Sequence, residues 1–152
     1  MKGVIAFVVA VIVAYVLAVL MYTQINLGNV VEMGLEVTAG DRFAAALHDL
    51  VGMLGLYLPI IGVALLIAFG VARVILIWVP QLRTLGYVLA GFVAIYTVDF
   101  ALGALLTSGT HPLAVTRTTV GLLSQCVAGA IGGYVFVRML PGKEAGYLEL
   151  AS

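Results

Sequence analysis

Four long apolar runs alternate with short polar stretches along the chain. They cover about residues 4–22, 50–72, 84–106 and 113–139. Each run is long enough, as an α-helix, to cross the hydrocarbon core of a bilayer, which takes roughly 20 residues. The runs are apolar on all sides, whereas the strands of a membrane β-barrel alternate polar and apolar residues. The pattern predicts an all-α integral membrane protein, with four transmembrane helices in a compact antiparallel bundle and a single membrane domain over residues 1–152.

The composition agrees with a lipid-embedded chain. Of the 152 residues, 64% are hydrophobic and only 9% are charged, whereas a soluble domain carries about 25% charged residues. A chain of this length has too little interior to bury so much apolar surface away from water. Seven Lys and Arg residues balance seven Asp and Glu residues, so no basic excess favours nucleic acid as a partner. The expected partner is the lipid bilayer.

The basic residues predict how the chain is oriented in the membrane. Four spans place both termini on one side, and that side holds five of the seven cations: Lys2, Arg73, Arg83, Arg138 and Lys143. Arg42 and Arg117 fall on the other side. Because cytoplasmic loops are enriched in Lys and Arg, we expect a multi-pass protein of the cell (inner) membrane with cytoplasmic N and C termini. Trp78 then lies in the cytoplasmic interface, and Tyr57 in the outer one.

The sizeable segment outside the predicted spans is external and covers residues 23–49. Thr38 and Asp41 have the S/T-x-x-D/E spacing of a capping box, which marks the start of a helix. Apolar residues then recur at helical spacing: Phe43, Leu47, Leu50, Val51 and Leu54. We expect this helix to continue directly into the second span, where Pro59 removes a hydrogen bond and kinks the helix.

Asp99, in the third span, is the first candidate for chemistry. A lone charge within the bilayer costs roughly 2.5–3.5 kcal/mol on insertion scales, so such residues usually face the bundle interior and find a partner. Arg117, near the start of the fourth span, is the expected partner. The pair is either a structural ion pair that fixes two helices in register or a site that handles a proton or an ion. Tyr96, Ser124 and Gln125 are further candidates for a ligand site.

Two histidines raise the question of a metal or a heme. His48 and His111 both map to the outer side, and Asp49 follows His48 directly. They lack i,i+4 or H-E-x-x-H spacing, and a zinc site needs three or four converging ligands, whereas a heme needs one or two axial ones. The lone Cys126 forms neither an internal disulfide nor a thiolate cluster. We expect no cofactor, with heme or metal binding as the alternative.

Span four also carries closely spaced small residues. Gly129 and Gly133 form a G-x-x-x-G pair, and Gly121 and Gly132 share a neighbouring face. Small residues let helix backbones approach closely, and helices in membranes associate through such packing. We expect a helix-packing surface here, either inside the bundle or between copies of the chain.

Polar residues of spans three and four gather in their outer halves, so a continuous polar path to the cytoplasm is missing. This one-sidedness favours a non-enzymatic, self-associating or accessory subunit, as a homo-oligomer or in a larger membrane complex, with an outward-facing polar pocket. One alternative is a small transporter or channel that uses Asp99 and Arg117. Another is a redox membrane anchor that binds heme through His48 and His111.

Overall fold

The computed structural model describes residues 2–105 and 119–140, and its secondary structure within them is helical. The elements are α1 (Lys2–Glu32), α2 (Ala39–Gly52), α3 (Tyr57–Ile75), a 3-10 turn (Pro80–Leu82), α4 (Arg83–Leu105) and α5 (Thr119–Met139). Of these, α1, α3, α4 and α5 are long and apolar enough to cross a membrane. The prediction of an all-helical chain with four apolar helices of spanning length is confirmed, and it indicates a multi-pass membrane protein.

The second span differs from its prediction at its start. The i to i−4 hydrogen bonds of α2 give way to i to i−3 bonds between Leu54 and Val51 and between Leu56 and Met53, and α3 begins only at Tyr57. The prediction that α2 continues directly into the span was therefore wrong. So was the predicted kink, because Pro59 is the third residue of α3, where its missing N–H has no helical acceptor to lose. Gly52 and Gly55 favour the interruption because glycine is a poor helix former.

The first helix and the external segment also differ from expectation. α1 continues through the first part of the predicted external segment and ends at Glu32. After a short connection, α2 begins with the predicted capping box, which is confirmed. The Thr38 hydroxyl accepts a hydrogen bond from the Asp41 backbone N–H (3.2 Å), and the Asp41 carboxylate accepts one from the Thr38 backbone N–H (3.0 Å). These bonds satisfy amide groups that a helix start otherwise leaves unpaired.

The four long helices form a closed ring of contacts. α5 packs against both α4 and α1, and α3 packs against both as well, while α2 lies on α1. One aromatic residue from each long helix fills the ring at one end: Phe7, Phe69, Tyr87 and Phe136. The Phe69 and Phe136 rings stack with centroids 4.5 Å apart, and the Tyr87 ring lies edge-on to Phe136 at 5.1 Å. We call these four residues the aromatic cluster.

Glycines bring α5 into backbone contact with its neighbours. A Cβ on Gly91 of α4 would overlap the carbonyl oxygen of Gly129, and a Cβ on Gly133 would overlap that of Tyr87. On the next face of α5, a Cβ on Gly132 would come within 2.9 Å of the Ala14 Cβ of α1. Among the described residues, the glycines of the predicted packing surface thus contact other helices of the same chain. Of the two possibilities that the sequence left open, this is packing inside the bundle and not between copies of the chain.

Replacing Gly91 with alanine tests this close contact. The added methyl meets backbone atoms that cannot rotate away, so we expect Gly91→Ala to lower the free energy of unfolding by about 1–3 kcal/mol, as overpacking typically does. Gly70→Ala is the matched control, because a Cβ at Gly70 has no atom within 4 Å. It should leave the melting temperature in detergent unchanged or slightly higher. Equal losses in both variants would contradict the packing argument.

The capping box predicts a pH dependence at the start of α2. Its hydrogen bonds from Thr38 lower the pKa of Asp41 below its usual range. Stabilisation from the ionised carboxylate is therefore complete above the unfolded pKa, about 3.9, and is lost as the pH falls through the folded pKa. We expect hydrogen-exchange protection of the first turn of α2 to fall in that acidic range. In Asp41→Asn, protection should not change with pH there, whereas in Glu36→Gln it should behave as in the wild type.

Candidate functional site

A group of polar side chains is buried where the four long helices meet. Tyr57 at the start of α3, Asp99 in α4, and Gln125 and Cys126 in α5 are all buried. The backbone carbonyl of Ala18 in α1 completes the group. We call these residues the interior polar cluster. Every spanning helix contributes to it, so the tertiary fold and not a local motif assembles it.

Gln125 connects three helices within this cluster. Its side chain is 0% exposed. Its amide nitrogen donates a hydrogen bond to the Ala18 carbonyl oxygen (3.0 Å), and its amide oxygen accepts one from the Tyr57 hydroxyl (3.3 Å). A buried amide costs free energy unless it is hydrogen-bonded, and here both of its ends have a partner. Gln125 therefore fixes the positions of α1 and α3 relative to α5.

Asp99, in contrast to Gln125, is buried without hydrogen bonds to its side chain among the described residues. It is 3% exposed, and neither carboxylate oxygen has a hydrogen-bond partner within the described part of the chain. Asp99 is buried in the interior of the same helix bundle as Tyr57, Gln125 and Cys126. Asp99 precedes the last residue of α4, Leu105, by six positions, or about 9 Å of helix. Asp99 therefore lies in the second half of α4, between the middle of the helix and this end.

A second set of polar contacts joins α2 to this end of the bundle. The Tyr15 hydroxyl donates to the Leu50 carbonyl oxygen (2.5 Å), and the Tyr15 ring lies 6.4 Å from the Tyr57 ring. The Thr23 hydroxyl is 2.7 Å from the Asp49 carboxylate and 3.0 Å from the Val19 carbonyl oxygen. Tyr15 thus links the end of α2 with the interior polar cluster.

The structure places the sequence candidates in different environments. Tyr96 is 45% exposed and stacks on Phe100 outside the bundle, so it does not join the interior polar cluster. The Ser124 hydroxyl donates to the Gly121 carbonyl oxygen of its own helix (2.7 Å). Arg117, the expected partner of Asp99, lies outside the described residues.

The histidine hypothesis receives no support from the described part of the chain. His48 is exposed on α2, and Asp49 is engaged by Thr23. Among the described residues, no group of three or more His, Cys, Asp and Glu side chains is arranged to hold a metal ion. His111 lies outside the described residues.

Sequence reasoning missed Tyr57, Tyr15 and Ala18. The expectation that Tyr57 lies in the outer interfacial belt was wrong, because its side chain is buried between helices and bonds Gln125. A tyrosine at the border of an apolar run fits an interfacial belt and an interior site equally well, so the sequence offers no signal that separates them. Ala18 acts through its backbone, which no side-chain pattern reveals.

The interior polar cluster is suited to accept positive charge. An unpaired carboxylate in an apolar interior is costly in its ionised form, and a bound proton or cation removes that cost. The Tyr57 hydroxyl of the same cluster can both donate and accept hydrogen bonds.

A double-mutant cycle tests the link between Tyr57 and Gln125. Tyr57→Phe leaves the amide oxygen of Gln125 buried without a donor, and Gln125→Leu leaves the Tyr57 hydroxyl without its acceptor. Each should lower the free energy of unfolding by about 1–3 kcal/mol. The double variant should lose less than the sum, because neither polar group then lacks a partner. Tyr96→Phe, at an exposed position, is the control and should change stability by less than about 0.5 kcal/mol. Additive losses would show that the two side chains act independently.

No protein-family model, curated protein or solved structure matches this chain. The four spanning helices define the class of protein, and the buried carboxylate of Asp99 defines the site whose function has to be explained.

Proposed function

We propose that this chain is a small transporter that takes up a proton at Asp99. The supporting observation is that Asp99 is buried among the spanning helices and both of its carboxylate oxygens lack a hydrogen-bond partner among the described residues. Ionisable residues inside a membrane are costly and mark ion pathways and proton relays. This observation favours the transporter, which the sequence offered as an alternative, over the accessory subunit.

A proton suits the site better than a metal ion. Ca²⁺ takes six to eight oxygen ligands and Mg²⁺ needs near-ideal octahedral geometry. Among the described residues of the cluster, the oxygens of Gln125 and Ala18 already accept hydrogen bonds, and the remaining oxygens are the two of Asp99 and the Tyr57 hydroxyl, which are fewer than either ion needs. A proton needs one lone pair, and its transfer to the carboxylate leaves a neutral acid that the apolar surroundings tolerate.

The two ends of the bundle favour a transporter over an open channel. The polar contacts of Tyr15 and Thr23 lie towards the end that holds Asp99, whereas the aromatic cluster fills the other end. Uptake therefore proceeds from the polar end, and release to the other side requires the aromatic cluster to separate. Arg117 keeps the gating role proposed from the sequence, at the polar end of the fourth span.

The finer topology belongs to the same proposal. Tyr87 meets Gly133, while Ile95, further along α4, meets Gly129, which is earlier in α5. These contacts support antiparallel packing of α4 and α5. The distribution of Lys and Arg supports cytoplasmic termini in the cell membrane. A homo-oligomer would have to form through surfaces other than the glycine contacts, which are occupied inside the chain.

A second candidate function is that of an accessory subunit in a larger membrane complex. Outside the spanning helices, α2 exposes an apolar ridge of Phe43, Leu47 and Val51 at i, i+4 and i+8. Such a ridge is typical of helices that bind a groove on a partner. In this role Asp99 would be a structural residue, and its replacement would impair assembly with the partner.

Asparagine at position 99 separates these two functions. Asp99→Asn keeps the shape of the side chain and removes proton binding, so proton entry into pyranine-loaded proteoliposomes under a membrane potential should fall at least tenfold. The infrared band of a buried carboxylic acid, visible in acid-minus-alkaline difference spectra of the wild type, should disappear. The variant should remain monodisperse and fold as well as the wild type, because a neutral side chain replaces a buried carboxylate that has no hydrogen-bond partner among the described residues.

Two controls accompany this experiment. Thr97 is on the exposed face of the same helix, where its hydroxyl donates a hydrogen bond to the Val93 carbonyl oxygen. Thr97→Val should therefore retain wild-type proton entry. Asp99→Glu keeps the carboxyl group and should retain the infrared band. Absence of that band from the wild type, together with loss of folding in Asp99→Asn, would favour the structural role.

A further inference from the structure

The end of the bundle that holds the aromatic cluster also gathers positive charge from every spanning helix. Contacts among Phe7, Phe69, Tyr87 and Phe136 bring together the starts of α1 and α4 and the ends of α3 and α5. A basic residue follows or precedes each member of the aromatic cluster within five positions: Lys2, Arg73, Arg83 and Arg138. Five helical residues span about 7.5 Å, so these cations surround one end of the bundle. We call this set the basic end.

Acidic residues within the described ranges lie elsewhere. Glu32 and Glu36 follow the opposite end of α1, Asp41 and Asp49 belong to α2, and Asp99 is in the interior polar cluster. Lys2, Arg73 and Arg138 are exposed, and Arg83 is half-buried. Among the described residues, the charges at the basic end are thus all positive, and a surface of positive charge attracts anions.

Arg138 is held in a defined orientation at this end. Its Nε donates a hydrogen bond to the Tyr134 hydroxyl (2.8 Å), and its guanidinium lies 5.2 Å from the centre of the Tyr134 ring. Because these contacts already restrain the Arg138 side chain, it loses less conformational entropy when it binds a ligand. A guanidinium also recognises phosphate oxygens in a bidentate manner.

Trp78 shows where this end lies relative to a bilayer. It is 85% exposed, in the connection between α3 and the 3-10 turn, and its neighbour Ile77 is exposed as well. An exposed indole is unfavourable in water but is typical of the headgroup level of a membrane, where apolar and polar groups meet.

We propose that the basic end binds the phosphate groups of anionic phospholipids in the adjoining leaflet. Three features support lipid as the occupant: the charged residues described at this end are all basic, the cations stand at the ends of membrane-spanning helices, and Trp78 is exposed in the connection at the same end. Basic residues between or beside transmembrane helices bind anionic headgroups in this way. The bound lipid bridges the ends of separate helices and holds the aromatic cluster closed.

Trp78 is the single tryptophan of the chain, so its fluorescence reports on this end directly. The full-length protein in a zwitterionic detergent is titrated with phosphatidylglycerol, with phosphatidylcholine, or with inorganic phosphate. We expect a saturable change in Trp78 emission with phosphatidylglycerol, which weakens at high salt because screening reduces the attraction. Phosphatidylcholine and inorganic phosphate should produce no saturable change.

Charge removal at the basic end provides the matched comparison. The double variant Arg73→Gln/Arg138→Gln should bind phosphatidylglycerol with an apparent affinity about 25-fold lower than that of the wild type, roughly fivefold for each basic residue removed. Arg42→Gln removes a cation that bonds Gln24 at the other end of the bundle and should bind as the wild type does. An equal response of the wild type to both phospholipids, or to inorganic phosphate alone, would overturn the proposal, and neither result depends on the folding of a variant.

Discussion

The close approach of α5 to its two neighbours is the contact on which the rest of the bundle depends. Lipid tails are as apolar as the helices, so burial alone does not drive the helices together, and they associate through dense packing. Gly129 and Gly133 bring α5 into backbone contact with α4, and Gly132 does the same with α1. Because α5 lies this near to α1, the Gln125 side chain reaches the Ala18 carbonyl and fills the interior with a hydrogen-bonded amide.

The same packing leaves Asp99 without a described hydrogen-bond partner. Tyr57 and Cys126 of the interior polar cluster are buried as well, and Tyr57 donates its hydrogen bond to Gln125. Proteins retain locally unfavourable groups mainly at functional sites, where the surrounding structure compensates for their cost. A carboxylate at the level of the interior polar cluster, with the aromatic cluster closing the opposite end, gives the bundle two chemically different ends. This asymmetry is what uptake from one side of a membrane requires.

Much of the fold is predictable because it depends on local properties of the chain. The length of an apolar run decides whether a helix spans a bilayer, and the spacing of Thr38 and Asp41 decides where α2 begins. Asp99 is recognisable as a candidate because a charge inside an apolar run is costly wherever the run packs. The end of the first helix and the start of α3 are less predictable, since both depend on hydrogen bonds of the segments that join the helices.

The sequence by itself therefore determined the class, the four spans and the cap of α2, and it identified Asp99 as a candidate site residue. Only the tertiary structure decided that Asp99 is buried, where the glycines of α5 make contact, and that Tyr57 is an interior residue. The physical reason is that helices apolar on all sides carry no periodic signal for their inward face. The contact between Gln125 and Ala18 joins residues 107 positions apart, and such a contact follows from packing alone.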